Sequence, residues 1–308
     1  MSTDSSEYDT FGPWIDEVRT AADVPRLYRD HELDLSAARL VLKVPRPIAR
    51  RDAAEVTDLY DHLLILQADR LTVLSRCQGR TGQPGSGYTT HRIELADVVA
   101  VLDEVDLLQG RFQVYTWDGN VLTIDYNGST RDQVQRLMAT MRPPAAVLGS
   151  QPISTDVPLT RSSLGPRDAA VFSDVLEAQR RQPDLVPLAW HGRALVRPRL
   201  RGAATAVSLI GHWLSPATVH AAVVTSDGSH LDVFGRRERL ARGRQPVHSA
   251  SRLSIPLQAL SWVHEQPHAV YSGVTDLVLQ AGGTLLTITV PRDLALGRAL
   301  LNVRTRSA

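Results

Sequence analysis

His264-Glu265-Gln266-Pro267-His268 sets two imidazoles four residues apart, with a glutamate after the first. On a helix that spacing puts both rings on one face to hold zinc, and the glutamate polarises a metal-bound water. Pro267 falls inside the turn this requires, where its ring clashes with the carbonyl four residues back. The flanks Leu260 to Val263 and Ala269 to Val274 are β-like, so a surface turn without metal is expected. Cys77, the single cysteine, lies near His62 and His91 in sequence. A nucleophile needs a thiolate of low pKa oriented by a base, and spacing does not supply that; a core or edge cysteine is expected. Gly79 to Gly87 is glycine-rich but lacks the Gly-Lys-Ser/Thr that opens a helix onto a phosphate. No cofactor, metal or catalytic residue is therefore expected, and a hydrolytic enzyme is the least favoured of three functional readings.

The stronger chemical signal is cationic. Arg236, Arg237, Arg239, Arg242 and Arg244 cluster between a strand ending at Phe234 and one starting near Leu253, and Arg193, Arg197, Arg199 and Arg201 can add to them. Such a cluster suits an anionic partner, a solvated loop, or an internal contact with acidic residues elsewhere in the chain. No aromatic platform or recognised motif accompanies it, so nucleic acid is not the expected partner. Residues 1–150 hold 16 basic and 22 acidic residues, a balance of −6, whereas residues 186–308 hold 14 and 6, a balance of +8. Oppositely charged halves attract, within one chain or between two copies. Lys43 is the only lysine, the arginine bias that a GC-rich, actinobacterial genome produces.

The positioning elements are short strands. His62 to Gln67 and Leu71 to Leu74 read as a hairpin turning at Ala68-Asp69. Arg39 to Val44 precedes them, and Arg92 to Leu95 and Val98 to Leu102 follow. Phe112 to Trp117 leads through Asp118-Gly119, suited to a type I′ turn, to the alternating Leu122, Ile124 and Tyr126. Val134, Leu137, Met138 and Met141 then fall on one face of a helix, which Pro143-Pro144 ends.

The programme restarts after residue 163. Val186-Pro187 mirrors Val24-Pro25, and Ile255-Pro256-Leu257 mirrors Ile93-Glu94-Leu95, both at a spacing of 162 residues. Gly282-Gly283 stands for Asp118-Gly119, and Leu296, Ala299, Leu300 and Val303 share one face of a last helix. Anchors at one offset indicate an internal duplication. The expected domains are a disordered tail at 1–10, a first domain at 11–142, a linker at 143–163 and a second domain at 164–308. Each domain is expected to open with a short helix, at about Pro13 to Ala22 and Ala169 to Arg180.

This order resembles the bacterial pleckstrin-homology-like family, through "HLLILQADRLTVLSR" (His62–Arg76) and "HRIELADVVAVLD" (His91–Asp103). The resemblance implies a mainly β chain with some α, in two tandem seven-stranded barrels, each with an amphipathic C-terminal helix. It implies binding or scaffolding rather than catalysis, with a protein partner or self-association; anionic lipid, through the arginine-rich loop, is the alternative partner. No signal peptide or transmembrane segment is visible, so a cytoplasmic protein is expected, with a membrane-peripheral one as the alternative. Trp190 and Trp213 are candidate interface anchors, with core packing the simpler reading.

Overall fold

The computed structural model describes residues 7–53, 57–77, 87–142, 158–199, 217–242 and 248–292. The chain divides into two compact units. The first comprises Met1–Val98, Leu108–Phe112 and Thr123–Arg142, and the second Val99–Leu107, Gln113–Leu122 and Pro143–Ala308. The division cuts across the expected 11–142 and 164–308 domains, because Val99–Leu107 and Gln113–Leu122 group with the second unit.

The first unit opens with α1 (Glu7–Thr10) and β1 (Asp16–Glu17). Residues 7–10, expected in a disordered tail, are anchored: Tyr8 packs on the core and the Glu7 carboxylate accepts the Arg26 N–H. The helix expected over Pro13 to Ala22 is replaced by β1 and a 3-10 turn at Ala21–Asp23. Phe11, Ile15 and Val18 are buried while Trp14 is exposed, and backbone pairing of Asp16 and Glu17 to the next strand replaces helical bonds.

β2 (Leu40–Pro45), β3 (Tyr60–Leu66), β4 (Arg70–Arg76) and β5 (Tyr88–Glu94) complete an antiparallel sheet ordered β1-β2-β3-β4-β5. The β3–β4 hairpin turns at Ala68-Asp69, with Leu66 opposite Leu71. Both faces of its centre are buried. Val41, Leu63, Ile65 and Leu74 join Phe11, Tyr28 and Tyr60 on one side, and Leu42, Leu64, Leu66 and Val73 are buried on the other.

β6 (Val98–Asp106), β7 (Gln109–Thr116) and β8 (Val121–Asn127) follow, then α2 (Arg131–Met141). Its expected face, Val134, Leu137, Met138 and Met141, is buried. The β7–β8 turn is not type I′. Gly119 alone has positive φ, at 80°, and its N–H bonds the Thr116 carbonyl while the Thr116 N–H bonds that of Asn120. The Asp118 carboxylate accepts from Thr116 and Asn120, which holds Asp118 in ordinary backbone and leaves the left-handed position to glycine.

The second unit adds α3 (Arg161–Leu164), α4 (Ala169–Arg181), β9 (Val186–His191), β10 (Ala194–Pro198), β11 (Ala217–Val219), β12 (Ala222–Ser226), β13 (His230–Gly235) and β14 (Leu240–Arg242). It ends with β15 (Ser249–Pro256), β16 (Leu260–Pro267), β17 (Tyr271–Ser272), β18 (Val274–Ala281) and β19 (Thr284–Pro291). The expected helix carrying Leu296 to Val303 lies outside the described residues.

β9, β12, β13 and β15 form an antiparallel run that continues into β6, with Ser249 opposite Asp106 and Ser254 opposite Val101. β16, β18 and β19 form a three-stranded sheet, and β14, β11, β10 and β17 a four-stranded one. Leu231, Val233, Leu253 and Ile255 pack with Leu277, Leu279, Ile288 and Val99 as the main core. The fold is mainly β with few helices. Among the described residues no sheet closes on itself, and no helix is long and apolar enough to cross a membrane.

The order of elements recurs. β3, β4, β5, a 3-10 turn at Leu95–Asp97, β6, β7 and β8 correspond to β12, β13, β15, a 3-10 turn at Leu257–Ala259, β16, β18 and β19. The two 3-10 turns start at 95 and 257, a difference of 162, and each is where the chain leaves one sheet for another.

Gly282 turns the β18–β19 hairpin at φ +53°, and a Cβ there would stand 2.7 Å from the Trp117 ring and 2.8 Å from Val99 Cγ1. Gly273 has φ +79° with open space around it. Gly273→Ala should therefore cost about 1 kcal/mol from backbone strain alone, and Gly282→Ala about 2–3 kcal/mol. Urea denaturation of the full chain measures both; equal losses would show that the Trp117 contact adds nothing.

Candidate functional site

Three chain segments of the second unit leave the seven-stranded sheet at one level and enter the four-stranded sheet. β9 passes through Gly192-Arg193 into β10, β11 through His220-Ala221 into β12, and β13 through Arg236–Arg239 into β14. The corner is knit by His191 opposite Ala222, Ala194 opposite Val219, and the His220 N–H on the Arg239 carbonyl at 2.9 Å. Gly235 is required there, because a Cβ would collide with the Arg239 guanidinium that lies over it.

Asp168, the N-cap residue of α4, sits at this corner with no exposed surface. Its carboxylate makes no side-chain cap bond to the helix. It accepts instead from Arg193 Nε and Nη2 at 3.1 Å, Arg236 Nε at 3.2 Å and the Ala221 N–H at 3.3 Å. Burial alone would raise its pKa, but the hydrogen bonds and charge of Arg193, the Ala221 N–H and Arg236 outweigh that and hold it below the usual carboxylate range. Arg236 directs its other donors to the Ser249 and Arg167 carbonyls at 2.7 and 3.1 Å.

Two histidines complete the cluster. His220 is 2% exposed, and its Nδ1 stands 4.0 Å from Asp168. His191 Nδ1 donates to the Gly192 carbonyl at 3.0 Å. Burial pushes both rings down to about 4, with nearby arginines adding to the effect, so both are neutral at pH 7.

Of the sequence-predicted cations, the fold brings Arg193, Arg236 and Arg239 to this corner and disperses the rest. Arg239 is partly buried, donates Nη1 to the Phe234 carbonyl at 3.1 Å, and is pulled down to about 10 by burial. Arg237 pairs with Glu104 at 3.8 Å. Arg242 donates to the Tyr271 hydroxyl at 2.7 Å, and Arg199 to the Tyr271 carbonyl at 3.2 Å. Arg244 and Arg201 lie outside the described residues. The cluster is thus largely committed to internal contacts rather than forming one solvent-facing loop.

No protein family, curated protein or solved structure matches the chain.

The other chemical candidates are built into strands and turns. His264 and Glu265 lie on β16 opposite Val278 and Leu277, so their side chains alternate across the sheet instead of sharing a helix face. His268 Nδ1 accepts the Val270 and Tyr271 N–H groups as a turn cap. Among the described residues no group of His, Cys, Asp and Glu is arranged to hold a metal. His62 bonds Ser75 and His91 lies near Thr89, while Cys77 is partly buried. Of the glycine-rich stretch, residues 79–86 lie outside the described residues.

Asp168, His191 and His220 were invisible as a group in sequence. Asp168 follows Gly165-Pro166 at a helix start and reads as an ordinary cap. Nothing local joins it to histidines 23 and 52 residues away.

Removing this carboxylate leaves two buried guanidinium groups unpaired. Asp168→Asn should lose about 3–5 kcal/mol of stability, measured by urea denaturation at pH 7. The histidines give a separate signature. Unfolded rings take up protons below about pH 6.5, whereas the folded ones do so only near 4. Between those values the unfolded state binds more protons, so stability is full above pH 6.5 and falls as the pH drops toward 4. Asp168 adds a further loss as the pH falls through its depressed value. The urea midpoint should decline steadily from pH 7 to 4.5, and more shallowly in His220→Gln. An unchanged slope in that variant would remove His220 from the account.

Proposed function

We propose that the chain is a non-catalytic binding protein, built from two duplicated pleckstrin-homology-like repeats, that engages a protein partner or a second copy of itself. The recurrence of a strand meander, a 3-10 turn and a second meander at an offset of 162 residues supports the duplication. The engagement of Asp168 and Arg236 in a buried network favours a structural use of those groups over a catalytic one.

The observation that carries the binding reading is a pair of hairpin tips that meet in the second unit. The Gly283 N–H donates to the Trp117 carbonyl at 3.1 Å, and the tips expose Trp117 (44%), Val121 (45%) and Leu285 (62%). Single exposed apolar residues are ordinary, but a tryptophan grouped with aliphatic side chains on a rigid two-hairpin platform is the composition of an interface anchor. The lipid reading has less behind it. Arg236 and Arg239 bond within the corner, and Arg237 and Arg242 bond Glu104 and Tyr271.

Trp117→Ser/Leu285→Ser in the full chain should keep its unfolding midpoint within about 0.5 kcal/mol of wild type. It should lose at least about 2 kcal/mol of partner affinity, roughly thirtyfold. Affinity capture from native extract, with sedimentation to detect self-association, reads the outcome. A stoichiometric protein or self-association lost in the variant upholds the reading. Identical behaviour of the two proteins would sink it.

A further inference from the structure

The corner of the second unit holds more positive charge than its protein partners offset. Arg193, Arg236 and Arg239 converge on the single carboxylate of Asp168. Arg236 is saturated by Asp168 and two carbonyls. Arg193 uses Nε and Nη2 on Asp168, which leaves Nη1 without a partner among the described residues. Arg239 uses Nη1 on the Phe234 carbonyl, which leaves Nε and Nη2 free of acceptors among them. Its nearest acidic influence is Glu104, which already faces Arg237.

Behind these groups lies a second, independent observation. His220, 2% exposed, has neither ring nitrogen hydrogen-bonded to protein, and His191 Nε2 is in the same condition. A buried polar atom without a partner is costly, and native proteins rarely leave one so. Here several donors without acceptors gather around one cationic corner.

We propose that this corner binds a small oxyanion of the phosphate or sulfate class, held by Arg193 Nη1, the free edge of Arg239 and one N–H of the His220 ring. Three guanidinium charges against one carboxylate leave a surplus of two, which a dianion offsets. Guanidinium edges match the spacing of oxyanion oxygens, and desolvation strengthens each charged hydrogen bond. A neutral imidazole carries one N–H in either tautomer, so His220 donates without first taking up a proton. Arg193 and Arg239 are partly exposed while His220 and Asp168 are buried, so the arginines form the entrance and the others the floor. Asp168 fixes Arg193 and Arg236 and thereby presents the unpaired donors. The site does not depend on the paired hairpin tips, and either can fail without the other.

The test uses the full chain at pH 7 and constant ionic strength, titrated with inorganic phosphate, sulfate or chloride. It is followed by thermal unfolding, calorimetry and the ring signals of His220. Phosphate and sulfate should raise the unfolding temperature in a saturable way that chloride does not reproduce, and should shift the His220 signals. Arg239→Gln should weaken binding at least tenfold while unfolding cooperatively, and Arg239→Lys, which keeps the charge but not the fork, should fall between. Vesicles carrying phosphorylated inositol lipid form a second arm. Competition with phosphate would give the oxyanion a headgroup source, and its absence a free one; either upholds the site. An equal response to chloride, an unmoved His220 signal, or wild-type binding by Arg239→Gln would overturn it.

Discussion

A carboxylate with no exposed surface keeps its charge only where hydrogen bonds and opposite charges outweigh the loss of water. Asp168 meets that condition with four N–H donors drawn from three separate strand corners. Each donor lies far from it in sequence, so the carboxylate cannot be satisfied until α4, β9, β12 and β13 are all in place. A misplaced strand would leave a buried charge alone, which costs several kcal/mol. The constraint penalises alternative registers more than it deepens the native state. Val223 opposite Phe234 and Val224 opposite Val233 would pack tolerably in neighbouring registers, but the Ala221 N–H reaches Asp168 in only one of them.

The seam between β6 and β15 obeys a related rule. A strand edge carries unpaired N–H and C=O groups, and a sheet that does not close must cover that edge some other way. Val101 to Asp106 and Ser249 to Ser254 solve this by pairing with each other in an unbroken six-residue register. The acidic stretch Asp103-Glu104 thereby lies opposite Arg252 and Ser251, and Glu104 reaches Arg237. The charge imbalance between the first 150 residues and the last 123 finds one internal outlet here, in strands of opposite sign sharing a ladder.

What the sequence made legible was local. The Ala68-Asp69 hairpin and the four-residue apolar face of α2 follow from turn chemistry and the 3.6-residue period, and both survive tertiary packing unchanged. The repeat spacing also held at the level of elements, because a 3-10 turn between two meanders is fixed by short-range backbone geometry. Two readings failed where long-range contacts outweighed local preference. Trp14, Ile15 and Val18 resembled a helix face, yet Asp16 and Glu17 gain more from pairing with Lys43 and Leu42. Asp118-Gly119 suggested a type I′ turn, but the Asp118 side chain bonds its own loop and leaves only glycine in the left-handed region. The burial of Asp168, His191 and His220 had no local trace at all.

The arginine run shows why a cluster in sequence is not a patch in space. From Phe234 to Arg242 the chain ends one strand, turns a corner and begins another, so successive side chains are sent in different directions. Arg236 goes inward to Asp168, Arg237 to Glu104, Arg239 back over Gly235, and Arg242 along the Tyr271 ring. Read as an exposed loop, the five charges would act together on a distant anionic surface, screened by salt within about 10 Å. Distributed as they are, each acts over one hydrogen bond on one defined acceptor. Specificity of that kind suits a compact group fitted at the corner better than a diffuse field, and it is the direction of each side chain, not the number of positive charges, that decides between the two.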